Sequence, residues 1–278
     1  MAPLSYWVTY NQVSFNASFL PAMRYPEIDP VALQIGPVAI HWYGLMYLLS
    51  FLLVYLIGDY RSNRSGSDWN KEQISDLIFF GALGVVLGGR LGYGLFYNFS
   101  SYIDNPLNIL KVWQGGMSFH GGLLGVITAM ILFARSRGKT FWQVADFAAV
   151  LTPIGLFLGR IANFINQELW GRTTDLPWGI IFPLAGPQAR HPSMLYEALL
   201  EGLVLFAILW WYASSKRPEG RVAGLFLCLY GMFRFSVEFV REPDAHIGFV
   251  AGDWLTMGHL LCLPMMLFGI WLLITKSD

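Results

Sequence analysis

Residues 141–171, FWQVADFAAVLTPIGLFLGRIANFINQELWG, form an apolar run of helical length that ends in an arginine, two asparagines, a glutamine and a glutamate. About 20 predominantly apolar residues is the length that crosses the hydrocarbon core of a bilayer. A charge at that depth costs roughly 2.5–3.5 kcal/mol on insertion scales, so an intramembrane arginine marks a functional site by default and needs a partner. Reading this stretch as a membrane span that carries Arg160 decides how the rest of the chain is read.

Working outward, comparable windows lie at about 38–58, 74–97, 117–135, 193–213, 222–240 and 256–275. With 141–163 they predict an all-α polytopic membrane protein of about seven transmembrane helices. The composition agrees: of 278 residues 55% are hydrophobic and only 13% charged, too little charged surface for a soluble globule. The formal net charge is zero and there is no basic block, so the chain has no electrostatic case for nucleic acid as a partner. Cys228 and Cys262 sit inside apolar runs and read as packing residues, not as a disulfide framework or a metal cluster.

An odd number of spans puts the termini on opposite sides. Loops 59–73, 135–140 and 214–221, with the C-terminus, carry Arg61, Arg64, Lys71, Arg135, Arg137, Lys139, Lys216, Arg217, Arg221 and Lys276. Only Arg24, Lys111, Arg172, Arg190 and Arg241 lie opposite. The positive-inside rule then predicts an outer N-terminus, a cytoplasmic C-terminus and small outer head and arm segments at 98–116 and 164–192. The first of these has an amphipathic pattern (Ile103, Leu107, Ile109, Leu110, Val112, Trp113) that suits either the membrane surface or a plain connector. Residues 1–22 lack the features of a signal peptide and read as an extension, with Met23 an alternative start; residues 23–278 read as a single integral-membrane domain.

Three arginines fall within spans. Arg90, Arg160 and Arg234 lie about 16, 19 and 12 residues from the inner ends of the second, fourth and sixth windows. At about 1.5 Å per residue this places them in the outer half, where they are expected to converge on one outward-facing cavity. Tyr43, His120 and Glu197 follow the outer starts of spans one, three and five. Tyr230, Arg234, Glu238 and Arg241, at spacings of four, four and three, share one helical stripe. That stripe is either a structural ion pair of Arg234 with Glu238 or a carboxylate holding an arginine toward an anion.

Gly84, Gly88 and Gly92 predict a close helix contact. Arg90, within that run, is a phosphate ligand, a loop anchor or a snorkelling residue. The glycines of 115–122 keep space open beside His120, whose imidazole suits removal of a proton from a thiol. Glu201 lies one turn deeper than Glu197 and also needs a partner, while His191, Asp146 and His259 read as structural. A transporter of an organic anion is the rival reading, since intramembrane arginines and glycines also line substrate paths.

The run from Gly159 to Gly171 resembles the signature of prolipoprotein diacylglyceryl transferases. It is joined in order by His41–Tyr47, Gly88–Arg90, Gly115–Gly122, Arg190–Ser193, and Tyr230–Glu238 followed by Arg241–Asp244. The resemblance covers about residues 23–275, with a short outer segment at 172–190. It implies an enzyme of the bacterial inner membrane, with its active site facing the periplasm. Such an enzyme moves the diacylglyceryl group of phosphatidylglycerol onto the lipobox cysteine of a prolipoprotein signal peptide, without cofactor or metal. The resemblance places an essential histidine at His120 and two key arginines at Arg160 and Arg234. It places substrate-binding residues at Tyr43, Asn163, Glu168, Gly171 and Glu238, with Tyr230 and Glu197 as further carry-overs; Arg90 stays a candidate phosphate ligand on its local likeness to Arg160. On this reading the partner of Arg160 is a lipid headgroup and not a protein carboxylate.

Overall fold

The computed structural model describes residues 22–64, 67–99, 102, 105–111, 115–243 and 248–275. The expected N-terminal extension, apart from Ala22, lies outside the described residues, as do Ile103, Val112, Trp113, Asp244 and Lys276. The long helices are α1 (Trp42–Ser62), α2 (Lys71–Phe96), α3 (Phe119–Ser136), α4 (Phe141–Ile165), α5 (Ser193–Tyr212), α6 (Arg221–Glu238) and α7 (Met257–Thr275). All but α6 are long and apolar enough to cross a membrane, so the chain is a polytopic membrane protein. Helix α6 is as long as α3 but carries Arg221, Arg234 and Glu238.

Local chemistry sets the helix starts. Asn70 and Thr140 each form a reciprocal capping box, with Gln73 and Gln143 respectively, at the starts of α2 and α4. Ser118 caps α3 through the Gly121 N–H at 3.2 Å. For α6 the cap comes from another helix: Asp146 of α4 accepts from the N–H groups of Gly220 and Ala223, both at 2.7 Å. The structural role expected of Asp146 is this cap.

Helix α4 is the central post. Half of its spanning window is buried, against 11% for α1. One apolar cluster joins it to α1, α2 and α3 through Ile74, Leu77, Phe133, Phe147 and Leu151. Another joins it to α5 and α6 through Val150, Leu205, Leu209 and Val222. The exposed Leu, Phe and Val side chains of α1 and α2 face outward, as lipid contact requires.

Helices α2 and α3 meet backbone to backbone. A Cβ on Gly92 would lie 2.7 Å from the Cα of Gly121, and one on Gly84 would lie 2.6 Å from the carbonyl oxygen of Gly125. The close contact expected of the α2 glycines is therefore present. It also narrows the reading of the glycines beside His120: Gly121 is taken up by this contact and Gly116 (φ +76°) lies under the ring of Tyr93, while Gly115 has open space around it.

Within α5, Ala198–Val204 is a π-helical segment. It packs on α4 where a Cβ on Gly202 would meet the Cβ of Phe157 at 2.7 Å.

The all-α expectation is corrected by small strands outside the helices. The span expected from residue 38 starts at Trp42, because β3 (Val38–His41) folds back on β2 (Val31–Ile35). β1 (Met23–Arg24) pairs in parallel with β4 (Ile180–Ile181), which pairs antiparallel with β5 (Ala189–Arg190). β6 (Phe249–Ala251) pairs with β7 (Leu255–Thr256) just before α7. Residues 106–110 form one short 3-10 turn. Tyr25, Ile180, Phe182 and Met194 make a small apolar core over the end of α4. The Tyr25 hydroxyl donates to the Ile165 carbonyl at 2.8 Å, and burial raises the pKa of that phenol above its ordinary value.

Candidate active site

The last turns of α4 and α6 and the first turns of α5 meet at one end of the bundle, where they concentrate charge. Glu197 is fully buried and is the hub. Its Oε2 lies 2.5 Å from Arg160 Nε, and its Oε1 lies 3.3 Å from Arg234 Nη1 and is hydrogen-bonded by Arg241 Nη1. Glu238 is the second counter-charge, 2.8 Å from Arg234 Nη2 and 3.4 Å from Arg241 Nε. Glu201, also fully buried, stands 3.9 Å from Arg160 Nη2, and neither of its oxygens has a hydrogen-bond partner among the described residues.

The expectation that Arg160 would find its partner only in a ligand is therefore corrected: its Nε is held by a protein carboxylate. Its outer nitrogens are less engaged, with Nη1 reaching Asn163 Oδ1 at 3.4 Å. The side chains of Arg160 and Arg234 each keep 18% of their surface, whereas Glu197 keeps none. The cluster thus presents cationic edges outward and buries its carboxylates behind them. Three guanidiniums meet three carboxylates, with Glu201 the most distant of them.

Asn163 extends the site, its Nδ2 donating to Glu168 Oε2 at 3.0 Å, while Asn166 Nδ2 reaches Glu168 Oε1 at 3.3 Å. Tyr43, on the first turn of α1, is within hydrogen-bonding reach of Asn163, and its ring lies 5.2 Å from that of Tyr47. Tyr230 sits one turn before Arg234, within electrostatic reach of Glu201, Arg234 and Arg160. Glu168 is exposed and tied to its own segment. There Gln167 (φ 54°) and Leu169 (φ 59°) take left-handed conformations unusual for residues with side chains. The Leu169 carbonyl is fixed by Ser193 Oγ at 2.8 Å.

Two expected ligands have other work. The five N–H groups of Arg90 serve backbone carbonyls: Nε that of Ile109 at 3.0 Å, Nη1 those of Gly115 and Gly116, and Nη2 those of Asn108 and Lys111. Its guanidinium is fully engaged in anchoring the loop before α3, so Arg90 is not a phosphate ligand and does not join the cluster. Gly171 is buried where two segments cross. A Cβ there would strike the Val240 carbonyl and lie 2.8 Å from His191 Cβ, and its N–H donates to the His191 carbonyl at 2.8 Å. It is a spacer and not a surface for substrate.

His191 has the structural place expected of it. Burial and the neighbouring Arg172 hold its imidazole below the ordinary pKa. His120 stands exposed on the first turn of α3, its ring 5.6 Å from that of Phe119. Among the described residues no hydrogen bond or ion pair joins it to the arginine cluster.

Thr256 went unseen in the sequence. Its Oγ1 donates to Glu238 Oε1 at 2.8 Å and lies 3.0 Å from His259 Nδ1, which braces the counter-charge from the start of α7. Arg172 was also missed; its Nε holds the Arg241 carbonyl at 2.8 Å.

The profile of the family described as prolipoprotein diacylglyceryl transferase matches residues 30–275. The chain belongs to that family. Relatives named phosphatidylglycerol–prolipoprotein diacylglyceryl transferase include one from Solidesulfovibrio magneticus, 57% identical over 255 residues, covering 91% of this chain and 96% of the relative. One from Vibrio parahaemolyticus is 57% identical over 252 residues, covering 91% and 92%. One from Nitratidesulfovibrio vulgaris is 56% identical over 256 residues, covering 92% and 97%. The family's match takes in every residue of the arginine cluster and leaves the anion-transporter reading without support.

Proposed function

We propose that the protein transfers the diacylglyceryl group of phosphatidylglycerol to the lipobox cysteine of prolipoproteins. The observation that carries this reading is the pair of guanidiniums, Arg160 and Arg234, whose side chains keep 18% of their surface while the carboxylates that hold them are buried. A phosphodiester headgroup carries one negative charge and offers oxygens that match arginine forks. In the reaction the cysteine sulfur bonds to the glyceryl carbon, the carbon–oxygen bond to phosphate breaks, and glycerol 1-phosphate leaves with that electron pair. Arg160 and Arg234 stabilise the charge growing on the leaving phosphate, in surroundings too poor in water to screen them.

His120 takes the thiol proton. It lies at the same end of the bundle as Arg160, because α3 and α4 are antiparallel about a short loop, and its ring nitrogens are not engaged among the described residues. Tyr43, Asn163 and Glu168 orient lipid or peptide at the lip of the site. Glu238 and Glu197 hold the arginines, and Tyr230 packs below them. Helix α6 crosses as the seventh span, its charges facing the cluster, within one integral-membrane domain from residue 23 onward. The N-terminus lies outside, the C-terminus lies in the cytoplasm, and the site opens to the periplasmic side of the inner membrane.

The test is to incubate the purified protein with phosphatidylglycerol and a lipobox peptide. A mass gain of one diacylglyceryl group is expected, and none with the Cys→Ser peptide. An unmodified cysteine peptide in the presence of folded enzyme and lipid would refute the reading.

A further inference from the structure

At the opposite end of α4, α5 and α6 a separate cavity of about 510 Å3 opens. Gln143 lines it and precedes Arg160 by 17 residues on α4, about 25 Å at the helical rise. Arg61 and Arg64 enter it from the end of α1, Lys139 from the loop before α4, and Lys216 and Arg217 from the loop before α6.

Three carboxylates share the lining, but two are already satisfied by neutral donors. Asp146 caps α6 as described, and Glu219 accepts from Thr140 Oγ1 at 2.5 Å and Gln143 Nε2 at 2.7 Å. Asp146 is within electrostatic reach of Arg61. Even so, none of the five cations forms an ion pair with a carboxylate among the described residues. Just outside the cavity Arg137 does pair, with Asp76 and with Glu72 at 3.5 Å.

Four of the cavity cations lie instead against aromatic faces, and two of these also donate to backbone carbonyls, Lys139 Nζ to Asp68 at 2.7 Å and Arg217 Nε to Tyr212 at 3.1 Å. Arg61 lies 5.9 Å from the Phe147 centroid, Arg64 5.0 Å from Trp210, Lys139 4.7 Å from Trp69 and Arg217 4.3 Å from Tyr212. Stacking of this kind orients a cation while leaving the edge of a guanidinium open to hydrogen bonds. Five cations against three carboxylates leave an excess of positive charge. The volume suits a small polar group. Tyr60 and Trp211, both mostly exposed beside it, mark the level of lipid headgroups.

We propose that this cavity is a second anion site, distinct from the transfer site, that binds a phosphate ester. The source is either the headgroup of an anionic phospholipid in the adjoining leaflet or a free phosphate; both offer the oxyanion that the unpaired cations fit.

The experiment is native mass spectrometry of the full chain, with phosphatidylglycerol or phosphatidylcholine added. Wild type is compared with the Arg61→Gln/Arg64→Gln/Arg217→Gln variant and with a milder Lys216→Gln/Arg217→Gln variant confined to exposed side chains. The triple variant should retain one phosphatidylglycerol fewer per protein, and the double variant should bind it at least tenfold more weakly. Phosphatidylcholine retention and the rate of diacylglyceryl transfer at saturating lipid should stay unchanged in both. Displacement of the lipid by millimolar inorganic phosphate would assign the site to phosphate in general; no displacement would assign it to the lipid headgroup. Equal retention by wild type and both variants, or equal loss of both lipids, would overturn the proposal. Neither result bears on the transfer reaction.

Discussion

Replacing Arg160 with lysine separates the two tasks its guanidinium performs. Nε holds Glu197 at 2.5 Å, while the outer nitrogens stay partly open toward the substrate side. A single ammonium cannot do both. Arg234 and Arg241 remain on Glu197 Oε1, so the buried carboxylate keeps its counter-charge when the contact at Oε2 is lost. The cost therefore falls on the transition state, where removing one donor from a preorganised charge-stabilising site is worth about 2.7–4 kcal/mol. At about 1.4 kcal/mol per factor of ten, kcat/KM should drop about 100- to 1000-fold. Initial rates of peptide lipidation, followed by mass spectrometry over a range of phosphatidylglycerol concentrations, measure this directly. The thermal unfolding midpoint in the same detergent reports the fold. A rate within threefold of wild type would refute the phosphate clamp, and so would a loss of rate that merely follows loss of folded protein.

Glu197→Gln should lower unfolding stability by about 3–5 kcal/mol, since it leaves three buried guanidiniums with a single close counter-charge; unchanged denaturation would remove Glu197 as the hub. Arg90→Gln should free the loop before α3, with local stability falling by at least about 3 kcal/mol, equivalent to two hydrogen bonds to a charged group. Limited proteolysis between residues 97 and 118 reads that change, and wild-type resistance there would contradict the anchor. Gly88→Ala should cost about 1–3 kcal/mol by overpacking, because its Cβ would lie 2.7 Å from Gly125 Cα. Gly155→Ala, with open space around it, is the control that should not move the unfolding curve. His120→Gln should slow transfer by about 100- to 10,000-fold; a rate within threefold of wild type would exclude His120 as the base.

Much of the site was legible because helical spacing is local information. Tyr230, Arg234, Glu238 and Arg241 share a stripe by arithmetic alone, and Arg160 announced itself by its cost in apolar surroundings. The hub was not legible. Glu197 is 37 residues from both Arg160 and Arg234, and only the packing of α5 between α4 and α6 turns it toward them. Arg90 shows the converse limit, since its context nearly repeats that of Arg160. What separates the two is whether a loop folds back to offer carbonyls, and no local pattern encodes that. The strands β1, β4 and β5 are two residues each, too short to show any alternation, and Thr256 reaches Glu238 only through the hairpin β6–β7. The long helices were readable because a bilayer imposes one length on all of them.

The π-helical turn of α5 bears on how the site tolerates changes in chain length. A π turn holds more residues per revolution than an α turn, so Ala198–Val204 acts as slack in an otherwise tight rod. Deleting one residue there, such as Leu199, would let the helix tighten to regular geometry at little local cost. The first deletion would leave its two ends nearly in phase, but a second, with no slack left, would turn them against each other by about 100°. With Leu205 and Leu209 locked in the apolar core, Glu197 would swing away from all three arginines. The polar end of α5 is thus indexed to its apolar end by a count of residues with one to spare, and a longer deletion that spared every charged side chain would still unmake the cluster.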